Sequence, residues 1–446
     1  MSTILTMCIK PLIKVSISNY KSIDSLQLDI KPVTVLIGPP NTGKSNILEA
    51  LYLAGLPGKL YMALKEYENA EKTFCERDAS IKKILRITDP SDIFPNFMYE
   101  KHKPVTVKTT YEDSSAETVV KVEAGIDELR LNVQVSSRRK DVILVGEEKI
   151  SQLIGGITLT ERNNYCIDLH RLAGKKPGGQ QSSRSKNNIE GENLLSLLLG
   201  LAILKMFTGA DFRNIGEILL ESRLYSYSRF TLDSRFDILA TCKDNTKACR
   251  APKHILAEDA GNIAWIAYRN PEAVSRLNEW LNTKLGTGIE VLVKMQPSLE
   301  FYEKPMWMKP SLVSDGVKRA LYYILALASS ISYANLKKVN MLLLLEEPEA
   351  KLYPYIQDLL LYWLGKAVNN DIHVVLTTHN PQLVDMLAES FTRDKLGVYY
   401  VYREPMTHNT RIQMITGEKL TKLKAYSLGD LLVMTPKEVA SESDRN

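Results

Sequence analysis

The chain has little of what marks the more specialised protein classes. Its five cysteines, Cys8, Cys75, Cys166, Cys242 and Cys249, are an odd number, widely spaced, with no Cys-x-x-Cys pair among 446 residues, which argues against a disulfide framework and fits a reducing compartment. Charge of one sign is nearly absent: 57 basic and 52 acidic residues leave a net charge of +5, so any nucleic-acid face has to be local. The longest apolar stretch, Leu194 to Leu204, is too short to cross a bilayer and carries Ser196 and Gly200; it reads as a buried helix, and no membrane partner is expected. Met1 to Lys10 has neither a basic region ahead of its apolar residues nor a small-residue cleavage site, so the reading is cytoplasmic. Heptads do not survive Pro90, Pro95, Pro104, Gly155, Pro177 and Gly191, which excludes a long coiled-coil arm, and no tandem repeat is present. What is present is an ordinary 44% hydrophobic content and a length that suggests two to three structural units.

Along the chain, Leu12 to Ile17 and Ser25 to Ile30 alternate like strands around the turn-prone Ser18-Asn19. Four short runs, Val105 to Tyr111, Thr118 to Ala124, Leu129 to Val135 and Val142 to Val145, predict an antiparallel sheet. Lys175 to Asn188 is basic and poor in apolar residues, as in a surface loop, and Ser136-Ser137-Arg138-Arg139-Lys140 is a second basic stretch. Helical periodicity marks Glu192 to Phe207 and Pro271 to Leu281, and a strand is expected at Gly288 to Lys294.

Gly38-Pro39-Pro40-Asn41-Thr42-Gly43-Lys44-Ser45 is a complete P-loop between the apolar run Val33 to Ile37 and a helical pattern from Asn46 to Leu53. Backbone N–H groups of such a loop wrap phosphates at the positive end of a helix. Lys44 can reach the β- and γ-phosphates, and the short Ser45 hydroxyl can hold Mg²⁺ beside them, so ATP and Mg²⁺ are the expected ligands. Met341 to Leu345 has the solid apolar character of a central parallel strand and ends in Glu346-Glu347-Pro348-Glu349, a Walker B pattern. By position, Glu346 is expected to serve the metal and Glu347 the attacking water. Ile372 to Thr377 predicts another buried strand, placing His379 at a strand end within reach of the γ-phosphate or the water. Asn380 and Pro381 suit the N-cap and first position of the helix that follows.

Leu312-Val313-Ser314-Asp315-Gly316-Val317-Lys318-Arg319, ahead of a helical Ala320 to Ser329, resembles the signature of ABC-type ATPases, with Val313 where the family has Leu. Asn19-Tyr20-Lys21-Ser22-Ile23, the P-loop with Asn46 to Leu51, Glu346 to Pro354, Thr377 to Pro381, and Leu256 to Ile263 are similar to the OLD-type branch grouped with SMC-like and recombination-repair ATPases. The resemblance spans about residues 12 to 403. It implies an α/β ABC-type P-loop head with a mainly parallel core sheet, an antiparallel β lobe and an inserted mixed region. It divides the chain into 1–56 and 310–403 as the two parts of the head, 57–309 as the insertion and 404–446 as a tail. It adds Lys21 and Asn46 to the nucleotide contacts, gives His379 the switch role, and brings Ser314 and Gly316 to a nucleotide held by a partner chain, hence an ATP-dependent homodimer or higher homo-oligomer. Lys351 and Tyr353 stand where the family often has histidines. Gln152, Gln180 and Gln181 are equal candidates for a Q-loop glutamine, and the tail lacks the acidic pattern of a fused Toprim nuclease.

The implied activity is Mg-dependent ATP hydrolysis used as a switch. Its output is either direct action on DNA in repair or maintenance, or control of a separate effector protein, as in phage or plasmid defence. A transporter's nucleotide-binding subunit fits less well, because the long mixed insertion and the Glu-Glu-Pro-Glu strand end do not resemble that class.

Overall fold

The computed structural model describes residues 12–67, 75–77, 104–111, 116–124, 128–137, 155–160, 164–168, 228–230, 254–257, 260–294, 298–337 and 341–415. In chain order its first strands are β1 (Leu12–Tyr20), β2 (Ile23–Asp29) and β3 (Val33–Ile37), followed by helix α1 (Lys44–Tyr67). Then come β4 (Cys75–Arg77), β5 (Val105–Tyr111), β6 (Ala116–Ala124), β7 (Glu128–Ser137), β8 (Gly155–Thr160), β9 (Asn164–Asp168) and β10 (Ser228–Phe230). Helices α2 (Ile263–Arg269) and α3 (Pro271–Thr283) precede a meander of β11 (Ile289–Val293), β12 (Leu299–Glu303) and β13 (Met306–Met308). A 3₁₀ turn at Pro310–Leu312 leads into α4 (Asp315–Lys337), β14 (Leu342–Glu346), α5 (Pro354–Asn369) and β15 (His373–Thr378). The described chain ends with α6 (Pro381–Ser390), β16 (Leu396–Arg403) and β17 (Thr410–Ile415).

The fold is α/β with two compact units, residues 1–29 with 49–227 and residues 30–48 with 228–446. In the first, eight strands form an antiparallel sheet in the order β2-β1-β5-β6-β7-β8-β9-β4. Period-two alternation explains how β1 joins it. Val15 opposes Thr109 and Ile17 opposes Val107, and all four are fully buried, so one shared face forms the core. The expected runs at 105–111, 118–124 and 129–135 fall in β5, β6 and β7, while 142–145, 175–188 and 192–207 lie outside the described residues.

The second unit has a six-stranded sheet in the order β10-β14-β15-β3-β16-β17, parallel throughout except for the β16–β17 hairpin. Its central strands bury both faces: β3 and β15 are buried along their whole length and Leu342 to Leu345 likewise, which is why they read as solid apolar runs. Helix α5 buries Ile356, Leu360, Trp363 and Ala367, the 3.6-residue stripe of a helix covering a core. Leu256 to Ile263 is tied down locally: Asn262 accepts from the Ala257 N–H at 2.7 Å and donates to the Ile255 carbonyl at 2.7 Å, while the Leu256 N–H donates to Ser329 of α4 at 3.1 Å. Glu258 and Asp259 lie outside the described residues. The sheet continues through β17 to Ile415, taking in part of the 404–446 segment read from sequence as a tail.

Candidate nucleotide site

Three of the parallel strands end side by side. Ile37 of β3 pairs with Thr378 of β15, and Thr377 pairs with Glu346 of β14, so the P-loop, switch and acidic segments leave the same edge of the sheet. The carboxyl ends of parallel strands are where open α/β sheets bind ligands. Glycine is required at the start of the loop because a side chain on Gly38 would put its Cβ 2.1 Å from the Val401 carbonyl oxygen. Asn41 and Gly43 take positive φ, 59° and 99°, which turns the chain between the end of β3 and the start of α1.

Neighbouring elements hold the loop. The Thr42 hydroxyl donates to the Pro39 carbonyl at 2.9 Å, Thr410 of β17 donates to the Thr42 carbonyl at 2.9 Å, and the Arg403 guanidinium of β16 donates to the Asn41 carbonyl at 3.1 Å. Sequence reasoning missed Arg403 and Thr410; isolated polar residues on a hairpin carry no pattern that could have found them. Lys44 is buried at 5% exposure, and its ammonium donates to the carbonyls of Gly38 at 2.9 Å and Pro39 at 2.7 Å. Burial lowers its pKa to about 8, against the pull of Glu347 and Glu346. Below that pH the side chain remains a cation.

The Ser45 hydroxyl donates to Glu346 Oε1, joining two groups 301 residues apart in the chain. A hydroxyl and a carboxylate in that contact can share one divalent ion, so the pair fits the Mg²⁺ expected from sequence. Tyr323 of α4 anchors the strand end by donating its hydroxyl to the Glu346 carbonyl at 2.7 Å, and burial pushes its phenol pKa up. Glu347 then turns sharply, with φ of 44°, held by its N–H to the Thr377 carbonyl at 3.1 Å and to the Thr377 hydroxyl at 3.2 Å. That turn separates two adjacent glutamates into different directions. His379 Nε2 lies 2.9 Å from Glu347 Oε1. Desolvation and the nearby Lys44 lower the imidazole pKa, outweighing Glu347, so the ring is neutral at pH 7 and its N–H donates to the carboxylate. Asn380 caps α6, accepting from the Gln382 N–H at 3.0 Å, with Pro381 in the first turn.

The other residues expected at the site are distributed differently. Asn46 lies in the first turn of α1, one position after Ser45. Lys21 donates to Glu49 at 2.7 Å, and Tyr20 donates to the same oxygen at 2.9 Å, a buried cluster within the antiparallel unit. Ser314 is exposed at the start of α4, where its hydroxyl accepts from the Val317 N–H at 3.4 Å. Gly316 is pressed against the turn after the acidic strand: a Cβ there would come within 2.9 Å of the Lys351 carbonyl oxygen. Lys351 also reaches back to Asp315 at 2.6 Å. The three glutamine candidates lie outside the described residues.

Two stretches match ATPase domains. Residues 11–166 match the family described as "AAA ATPase domain", and residues 299–385 match the one described as "AAA domain, putative AbiEii toxin, Type IV TA system". The first contains the P-loop and the second contains Ser314, Glu346, Glu347 and His379, so both halves of the site carry ATPase sequence at the family level. No curated protein matches the chain. Among solved structures, an SMC head bound to the C-terminal winged-helix domain of ScpA is 14% identical with a TM-score of 0.41, covering 92% of this chain and 100% of that one. An SMC head with an extended coiled coil, bound to the ScpA C-terminal domain derived from Pyrococcus furiosus, is 12% identical with a TM-score of 0.39, covering 93% and 98%. The SMC head from Thermotoga maritima is 15% identical with a TM-score of 0.33, covering 91% and 98%. At these scores the fold rests on the strand order itself. Among the described residues no helix is long and apolar enough to cross a membrane.

Proposed function

We propose that the chain is a Mg-dependent ATPase of the OLD/SMC-like class that pairs with a second copy around ATP and uses hydrolysis as a switch. The observation that carries this reading is the Ser45–Glu346 contact beside Lys44, Glu347 and His379. It unites the phosphate-binding, metal-binding and water-orienting chemistries on one sheet edge.

In this reading Gly38 to Asn46 wrap the phosphates with backbone N–H groups, and Lys44 exchanges its own loop carbonyls for β- and γ-phosphate oxygens. Ser45 and Glu346 would hold Mg²⁺, which would supply positive charge beside the phosphates. Glu347 orients the attacking water and accepts its proton, while His379 fixes the carboxylate through the 2.9 Å contact. The exposed Ser314 and the N-terminus of α4 serve the γ-phosphate of the nucleotide on the partner copy.

The output is a DNA-linked or effector-linked assembly in DNA repair, DNA maintenance or defence. The match of residues 299–385 to a family described by a type IV toxin–antitoxin system favours the effector-linked form. The test is ATP turnover by the purified chain with and without Mg²⁺ and with and without DNA, beside a mass measurement in ATP. Mg-dependent turnover with a doubling of mass supports the reading. A chain that shows no Mg-dependent turnover under any of these conditions overturns it, and stimulation by DNA across several sequences, falling with salt, selects direct DNA action.

A further inference from the structure

Glu349 has no part in the chemistry above, yet it is one of the most enclosed acidic side chains at this edge, at 6% exposure. It lies two residues after Glu347, and its Oε1 accepts a hydrogen bond from Thr378, the fully buried residue directly before His379. Thr378 in turn accepts the Asn380 N–H at 2.9 Å, and Asn380 caps α6. A continuous hydrogen-bonded path therefore runs from the turn that carries Glu347 to the loop and helix that carry His379. The direct Glu347–His379 contact is partly exposed, with side-chain exposures of 41% and 34%, so water competes for it. Glu349 Oε2 is buried without a hydrogen-bond partner, a costly arrangement for an ionised carboxylate.

We propose that Glu349 is a positioning residue: through Thr378 it clasps the acidic turn to the switch loop and so fixes the separation of Glu347 and His379. This rests on the reading of Glu347 as the group that activates water. The surrounding charges suit a neutral clasp. Glu346 and Glu347 lie at the strand end, His379 on the switch loop, and Tyr323 and Arg319 on α4. Burial, reinforced by Glu347, pushes the Glu349 pKa up to about 7, which lets it hold a proton instead of adding a third negative charge.

The test compares Glu349→Gln, which keeps the shape and the acceptor without charge, with Glu349→Ala and Thr378→Val, which break the clasp from either side. Glu349→Ala and Thr378→Val should each lower kcat about tenfold or more while affinity for a non-hydrolysable ATP analogue changes less than about twofold. Glu349→Gln should retain kcat within about threefold, and the double variant Glu349→Ala/Thr378→Val should lose little more than either single one. Amide exchange supplies a readout independent of turnover: the Asn380 N–H should exchange faster in Glu349→Ala and at the wild-type rate in Glu349→Gln. Wild-type kcat and unchanged exchange in Glu349→Ala would overturn the clasp. So would a Gln variant as impaired as the Ala one. A wild-type chain that binds ATP without hydrolysing it would instead overturn the ATPase reading, with the exchange comparison still deciding the clasp.

Discussion

The strand ends that carry the P-loop and the segment around Ser314 lie in the same compact unit, yet their polar groups are satisfied in opposite ways. At the strand ends, Lys44 is 5% exposed and meets two carbonyls of its own loop, Ser45 meets Glu346, and Thr378 meets Glu349. Around Ser314, Leu312 is 70% exposed, the serine hydroxyl makes a long capping bond, and the Asp315–Lys351 pair is more than half exposed at both ends. A group that is buried and paired within one chain has its function set by that chain. On our proposal, the exposed groups beside the N-terminus of α4 meet a second copy of the chain. The difference separates the chemistry, which one copy carries, from its completion, which on our proposal needs a second.

Lys44→Ala and Glu347→Gln should give the largest effects and break the strand-end side of the comparison. Each should reduce turnover by about a hundredfold or more, the first by losing phosphate contact and the second by losing the group that accepts the water's proton. Direct ATP-binding measurements should separate them: Glu347→Gln still binds ATP, and Lys44→Ala binds it far more weakly. Near-normal turnover in Glu347→Gln together with none in Glu346→Gln would reassign the base.

An intermediate effect should appear in stability. The Glu349 pKa is raised from 4.5 to about 7, so the folded state keeps a proton that the unfolded state has released across that interval. Stability from this group therefore falls as pH rises from about 4.5 to about 7, by about 3 kcal/mol in total, and is flat outside the interval. Glu349→Gln has no such slope. Urea unfolding at pH 5 and pH 8 should show the variant gaining on the wild type by an amount of that order; equal gaps at the two pH values would mean that Glu349 titrates normally.

The smallest effect belongs to the exposed side. Asp315→Ala or Lys351→Ala should change unfolding free energy by no more than about 0.5 kcal/mol, because an ion pair open to solvent at both ends gains little. A loss several times larger, measured by the same unfolding, would show that this segment is as firmly built into the single chain as the P-loop is.

What could be read from sequence follows the same division. Val33 to Ile37, Met341 to Leu345 and Ile372 to Thr377 were legible as central strands because burial on both faces leaves a solid apolar run, and the P-loop because phosphate binding demands fixed residue types at fixed spacing. Asn380-Pro381 was legible because capping is local. The order of the sheets was not, since pairing Val15 with Thr109 or Leu345 with Leu376 is decided by burial of faces far apart in sequence. The separate roles of Glu346, Glu347 and Glu349 were only partly legible. Which glutamate faces the serine, which the histidine and which the interior depends on the positive φ at Glu347, a backbone turn that no side-chain pattern encodes. Arg403 and Thr410 support the loop through carbonyls, contacts that leave no trace in residue spacing.

The most direct test of the central claim is ATP turnover by Lys44→Ala and Ser314→Arg proteins, alone and mixed, with heterodimers confirmed by mass. If the site needs Lys44 from one copy and Ser314 from the other, each variant is nearly inactive alone, the second because a bulky side chain fills the γ-phosphate seat. A mixed dimer places both defects in one site and leaves the other intact, so mixing should restore part of the activity. A Ser314→Arg protein that hydrolyses ATP at the wild-type rate by itself would contradict the account and leave Ser314 as the cap of α4.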